Sequence, residues 1–279
     1  MPEIAEVETV RRVLRDKIIN HVIKRVEVFY DGIIESNVDE FKTKLVGEKF
    51  IDISRVGKWL IFETNNYYLV SHLRMEGKYF IKPFNDKIEK HEHIVFYLDD
   101  FTLRYHDVRK FGVMHLLNKD ELSNYEGIKK QGLEIIDPKL TGKYIYDKIH
   151  KSNKPIKTML LDQTIISGLG NIYVDEVLFA SGILPTRDSN KVTLKECDSI
   201  VKEGKRIIEK AIECGGTTIR SYTSSLGVTG TYQDYLMVHK NAGKKCKTCG
   251  TIILKERVGG RGTYYCSKCQ KWYELYSKK

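Results

Sequence analysis

The chain has no apolar run approaching the ~18 residues that a membrane-spanning helix needs. It has only 5 prolines in 279 residues and no fixed glycine period, which excludes collagen-like and proline-rich architectures. Its first residues, MPEIAEVETVRRVLRDK, carry acids early and lack an apolar stretch, so no secretory signal is expected and a cytoplasmic location is. Acids are outnumbered: 37 Asp+Glu against 47 Lys+Arg leave a formal charge of +10. That balance favours a polyanionic partner, the blander reading being a solvated lysine-rich surface. Six cysteines do not make a disulfide scaffold in a chain this long. What is present is 41% hydrophobic residues spread along the length. This is enough to bury one large domain or two modest ones, and it excludes a disordered chain.

Ile4, Val7, Val10, Leu14 and Ile18 fall at helical spacing and predict an amphipathic helix over 4–18. From about 22 to 118 the pattern changes to short β-type runs at 22–30, 49–56, 58–64, 67–73, 78–82, 93–100, 101–106 and 112–117, which predicts a sandwich or barrel. From about 140 the periodicity is helical. Thr193 and Glu196 are spaced as a capping box for a helix that Gly215 and Gly216 end, and a shorter helix opens at Asn171 after GLG. Cys197 lies on the apolar stripe of the longer helix and reads as a buried thiol. Apolar density drops between 120 and 150, and the expected division is 1–130, 131–235 and 236–279. The fold class is α+β.

Cys246 and Cys249, then Cys266 and Cys269, form two Cys-x-x-Cys pairs separated by sixteen residues. This spacing closes a tetrahedral site for one zinc ion. Four protein ligands leave no open position, so the metal is structural. The segment between the pairs reads as a hairpin carrying Lys255, Arg257 and Arg261, with Gly259, Gly260 and Gly262 allowing close approach to a phosphate.

Loss of Met1 would expose the α-nitrogen of Pro2. An α-amino group has a pKa near ~7.7–8.0, so a useful fraction is neutral at pH 7. Such an amine can attack an aldehyde-level carbon, with Glu3 and Glu6 near enough to move protons. Taken alone, Pro2 reads first as a helix-starting proline followed by first-turn acids.

MPEIAEVETVRR, SHLRMEGKY (71–79), KHEH (90–93), RYHDVRKFG (104–112), GLGNIYVDEVLFASGILP (168–185) and the terminal cysteine hairpin occur in this order. Together they resemble the formamidopyrimidine-DNA glycosylase family over essentially the whole chain. The resemblance implies an N-terminal β-sandwich flanked by helices, a helical domain with a helix–two-turn–helix motif, and a zinc finger. It implies a monomeric, nucleoid-associated glycosylase and AP lyase. Its substrates would be oxidised purines, 8-oxoguanine and formamidopyrimidines, in duplex DNA held in a basic cleft between the halves.

Roles follow by position. Pro2 matches the nucleophile that attacks C1′, Glu3 the acid/base residue that assists base departure, and Glu6 a second acid. Lys58 matches the lysine of β-elimination and a phosphate contact, and Arg261 the residue of δ-elimination. His72, His91, Arg109 and Asn171 match DNA contacts. Met75, Arg109 and Phe111 match the side chains that fill the hole left by a flipped base. Arg109 has the donors to pair with the estranged cytosine. The polar stretch 217–232 matches a lesion-recognition loop.

Three features depart from the family pattern. Ala5 stands where proline is usual, which should loosen the start of the first helix. KSNKPIK (151–157) leaves Lys151, Lys154 and Lys157 as alternative DNA contacts, with Lys154 preferred. A tail continues past Cys269. The nearest rival is an endonuclease VIII-like enzyme for oxidised pyrimidines, and Met75, Arg109, Phe111 and the long 217–232 stretch favour the purine class. An inert DNA-binding protein on the same scaffold would require loss of Pro2, Glu3 or Lys58. A zinc-ribbon RNA-binding protein leaves the N-terminal motif unexplained.

Overall fold

The computed structural model describes residues 1–217 and 230–271, so the 217–232 stretch beyond Thr217 and the tail after Lys271 lie largely outside the described residues. The chain divides into two compact units, Met1–Lys130 with Cys214–Thr231, and Gln131–Glu213 with Tyr232–Lys279. No helix among the described residues is long and apolar enough to cross a membrane.

The first unit opens with α1 (Ile4–Ile18) and β1 (Arg25–Val28), followed by α2 (Val38–Leu45). Seven strands come next: β2 (Phe50–Val56), β3 (Trp59–Thr64), β4 (Tyr67–His72), β5 (Lys78–Pro83), β6 (Glu92–Tyr97), β7 (Phe101–His106) and β8 (Val113–Asn118). The one-turn helix α3 (Glu126–Lys129) closes the run. The strands form two four-stranded antiparallel sheets, ordered β1-β6-β7-β5 and β2-β3-β4-β8. One core joins them: Phe50, Leu60 and Phe62 from one sheet meet Tyr79, Phe96 and Tyr105 from the other, with Val7, Leu14 and Phe41 from α1 and α2. Strand β3 is apolar on both faces because Trp59 and Ile61 enter a second cluster with Val70, Leu117 and Tyr125.

Each of the eight β-type runs in the sequence contains one strand, and α1 spans the residues its periodicity predicts. Helix α2 lies inside the stretch read as purely β. The Asn37 side chain caps it by accepting from the Glu40 N–H at 3.0 Å, and it buries only Phe41 and Leu45, too few apolar positions to show a period.

The second unit contains β9 (Leu133–Glu134), α4 (Gly142–Ile149), α5 (Ile156–Leu160), β10 (Ile166–Ser167), α6 (Asn171–Ala180), α7 (Leu194–Glu213), β11 (Leu254–Val258) and β12 (Arg261–Tyr265). The capping box of α7 is formed: the Glu196 carboxylate accepts from the Thr193 N–H at 2.8 Å. Cys197 is fully buried as expected, whereas Leu194, at the first position of α7, is exposed. Strands β11 and β12 pair around Gly259–Gly260, giving the hairpin expected between the cysteine pairs.

Candidate active site and nucleic-acid interface

Pro2 is buried immediately before α1, and Glu3 rather than Pro2 stands at the N-cap. Glu6 Oε2 accepts from the Glu3 N–H at 2.9 Å, so the third helical residue reaches back to close the start. Its other oxygen, Oε1, accepts from the Thr217 N–H at 2.7 Å and the Thr217 hydroxyl at 3.0 Å. Gly216, at φ +78°, allows this approach: a Cβ there would lie 2.8 Å from Glu6 Oε1. Glu6 thus fixes both the start of α1 behind Pro2 and Thr217 at the base of the 217–232 stretch. Ala5 is fully buried in the first turn of α1.

Lys58 is buried at the two-residue turn between β2 and β3, where Val56 pairs with Trp59. His72 pairs with Trp59 across β3 and β4, with ring centroids 4.8 Å apart. Burial first, then the Arg74 and Lys58 charges, pushes His72 down to about 3, so the ring is neutral at physiological pH. Its Nδ1 accepts from the Arg74 N–H at 2.9 Å, and Arg74 adopts φ +49° ahead of half-buried Met75.

Tyr105 on β7 links the segments that carry Met75 and Phe111. A Cβ at Gly77 would lie 2.2 Å from its hydroxyl oxygen, and one at Gly112 only 1.7 Å, so the ring tip fits against two bare backbones. Arg109 and Phe111 are exposed, with the guanidinium carbon 4.7 Å from the Phe111 centroid. His91 is half-buried, at 5.7 Å from the His106 ring.

In the second unit, Asn171 begins α6 behind the Gly170 N-cap, and its Nδ2 donates to the Gly262 carbonyl at 2.9 Å. Lys157 Nζ donates to the same carbonyl at 3.1 Å. Two side chains therefore hold the residue that follows Arg261, which itself is exposed at the start of β12. Lys154 is exposed, as is Lys151. Lys157 is fully buried, with Nζ 2.6 Å from Asp175 Oδ1, which removes it from the expected alternatives for DNA contact.

The four cysteine sulfurs lie within 4.8 Å of one another. The Cys246–Cys269 and Cys249–Cys266 separations are 3.9 and 3.4 Å. A tetrahedron with Zn–S bonds near ~2.3 Å has edges of about 3.8 Å, so the donor set fits one structural zinc with no open position.

Residues 1–114 match the formamidopyrimidine-DNA glycosylase N-terminal domain, 132–223 the formamidopyrimidine-DNA glycosylase H2TH domain, and 243–271 the zinc finger found in FPG and IleRS. The chain is 44% identical over 273 residues to the formamidopyrimidine-DNA glycosylase of Bacillus cereus, covering 97% of this chain and 99% of that one. The Bacillus subtilis enzyme is also 44% identical with the same coverage. The chain belongs to the formamidopyrimidine-DNA glycosylase family. A Lactococcus lactis FPG mutant bound to Fapy-dG DNA superposes with TM-score 0.93 at 41% identity, covering 97% of this chain and all of that one. The Lactococcus lactis Fpg complex with abasic-site DNA gives TM-score 0.92 at 40% identity, with the same coverage.

The candidate reactive groups are legible in the sequence motifs, and the side chains that support them are not. Asp107 lies within RYHDVRKFG and was not singled out, although an aspartate two residues before an exposed arginine is a usual acceptor for loop N–H groups. Lys157 was grouped with surface lysines because its partner, Asp175, stands eighteen residues away on another helix.

Proposed function

We propose that this chain excises oxidised purines, 8-oxoguanine and formamidopyrimidines, from duplex DNA and then cleaves the strand, acting as a monomer in the cytoplasm on nucleoid DNA. The observation that carries the reading is the helix start: Pro2 directly precedes two buried acids, and Glu6 locks the segment through the Glu3 N–H. After loss of Met1, the Pro2 nitrogen attacks C1′, the glycosidic bond breaks, and Glu3 delivers the proton that the leaving base requires. Glu3 then passes the proton lost by the Pro2 nitrogen to O4′, the C1′–O4′ bond breaks, and the opened sugar is left as an iminium that acidifies the C2′ proton. Loss of that proton expels the 3′ phosphate, with Lys58 serving this β-elimination. A second elimination, assisted by Arg261, expels the 5′ phosphate.

Met75, Arg109 and Phe111 fill the vacated stack, and Arg109 pairs with the estranged cytosine. Lys154, Asn171, His72, His91 and Arg261 hold the phosphate backbone or position the groups that do. The cysteine set holds zinc, which supplies rigidity to the finger and no chemistry. The division into catalytic (1–130), helical (131–235) and finger (236–279) parts is supported by the compact unit ending at Lys130 and by the separate finger match.

Borohydride trapping on a duplex with 8-oxoguanine opposite cytosine tests the reading. A covalent protein–DNA adduct should form, and Pro2→Gly should reduce it by about 10²-fold or more, the usual scale for loss of a positioned catalytic group. Equal trapping by Pro2→Gly and by a variant that keeps an extra residue ahead of Pro2 would make a lysine the nucleophile. Arg261→Ala should still trap but accumulate the β-elimination product. An unchanged β/δ ratio would reduce Arg261 to a phosphate anchor.

A further inference from the structure

Asp107 has no part in the chemistry above, yet it is fully buried at the end of β7. Its Oδ1 accepts from the Arg109 N–H at 3.0 Å. Its Oδ2 accepts from the N–H groups of Phe111 at 2.9 Å and Gly112 at 2.8 Å. The backbone of Asp107 is held as well: its N–H donates to the His91 carbonyl at 3.0 Å, and its own carbonyl lies 2.8 Å from His93 Nε2. Between the capped amides, Lys110 adopts φ +58°, a left-handed conformation that a non-glycine residue holds only when its surroundings impose it. The Lys110 ammonium sits 4.1 Å from the Tyr30 ring centroid.

A buried carboxylate is stable only when its lone pairs are satisfied, and here one loop supplies three donors. The same arrangement turns Arg109 and Phe111 outward. An exposed loop without function needs neither a buried charge nor a left-handed lysine.

We infer that Asp107 is a positioning residue for reading the base opposite the lesion: it sets the Val108–Phe111 loop in its DNA-engaging shape before DNA binds. This rests on the roles given above to Arg109 and Phe111. Ordering the loop in advance removes that entropic cost from the encounter, and it fixes where the Arg109 donors point. Asn at 107 keeps the size but sets an NH2 group against a backbone N–H, so at least one of the three bonds is lost.

The test compares wild type, Asp107→Asn and Arg109→Ala on duplexes with 8-oxoguanine opposite cytosine or adenine. Borohydride trapping on a single-stranded abasic oligonucleotide, which has no opposite base, runs in parallel. Asp107→Asn should lower the cytosine-over-adenine ratio of kcat/KM by about tenfold, within the range expected for one misdirected bidentate base contact, and trap single-stranded DNA within about twofold of wild type. A wild-type ratio in Asp107→Asn, with the ratio lost in Arg109→Ala, overturns the inference and leaves the Arg109 reading intact. A wild-type ratio in Arg109→Ala overturns that reading and the inference together. Should Asp107→Asn not fold, hydrogen exchange on the DNA-free wild-type protein decides. Protected amides at Arg109, Phe111 and Gly112 support the preset loop, and fast exchange there overturns it.

Discussion

In the N-terminal unit, the segments bearing Pro2, Met75 and Arg109 are short excursions from a core that joins two sheets and two helices. Each is trimmed by a side chain that accepts from the backbone: Glu6 for the helix start, His72 for the Arg74 turn, Asp107 for the Val108–Phe111 loop. In the C-terminal unit, the hairpin bearing Arg261 has little core of its own. Phe179, Val238, Cys246, Ile253 and Cys266 are its buried cluster, and two of these five are cysteines of the metal set. Its shape is held instead by the zinc ligands and by a buried ionic network in which Asp175 meets Lys157 at 2.6 Å and His239 at 2.8 Å. The Pro2-bearing unit is thus fixed mainly by a large apolar core, with local polar trim and the fully buried Arg104–Glu92 pair at 2.8 Å. The finger is fixed by a few strong, discrete interactions whose loss has no apolar substitute.

Zinc removal breaks this comparison most severely. Binding of a structural zinc is worth ~10–16 kcal/mol of folding free energy in finger-sized units. Cys249→Ser, or a strong chelator, should therefore unfold the finger and abolish DNA binding while the β-sandwich keeps its cooperative thermal transition. Metal content, far-ultraviolet circular dichroism and a mobility-shift assay read the three parts. A zinc-free protein that binds DNA normally would show that the finger stands on its small core.

The Lys157–Asp175 pair comes next. Removing one partner of a buried pair costs about 3–5 kcal/mol, and here the loss falls towards the lower end because Asp175 keeps His239 at 2.8 Å and the Tyr264 N–H at 3.3 Å. Lys157→Met should lower stability on that scale in denaturant titration. It should also weaken DNA binding, because the Gly262 carbonyl loses one of its two donors beside Arg261. The double variant Lys157→Met, Asp175→Asn should recover at least half of the stability. A single-variant loss below about 1 kcal/mol would place the pair with ordinary surface bridges.

The strands of the first unit and helices α1, α6 and α7 are legible because their apolar residues repeat at strand or helix spacing and their ends carry capping or glycine signals. Helices α2, α4 and α5 are harder to read, being five to eight residues long and burying too few side chains for a period to emerge. The residues proposed as reactive were named through motif order along the chain. The supports were not, since they are defined across it. Glu6 meets Thr217, and Lys157 meets a carbonyl 105 residues later; neither separation leaves a local pattern. Tyr105 reads as one more strand aromatic until the two glycines at its tip are seen.

The smallest effect concerns the N-terminal unit's own ionic cluster, and it sharpens the contrast with Asp175. Glu8 on α1 accepts from Arg11 at 2.8 Å and Arg12 at 2.8 Å, and from Arg55 on β2 at 3.2 Å. Burial raises its pKa, but the hydrogen bonds from Arg11 and Arg12 and the charges of Arg11 and Arg55 outweigh it and hold the carboxyl at about 2, against an ordinary 4.5. A depressed folded-state pKa stabilises the fold above the unfolded value, and that contribution disappears as pH falls from 4.5 towards 2. With water reaching part of the cluster, the term is about 1–2 kcal/mol, less than the buried Lys157 pair. Glu8→Gln should therefore be less stable than wild type at pH 7, and the difference should shrink steadily below pH 4.5. Zinc loss in acid affects both proteins alike and cancels in the comparison. A difference that stays constant from pH 7 to pH 3 would mean that Glu8 acts through packing and hydrogen-bond geometry rather than charge.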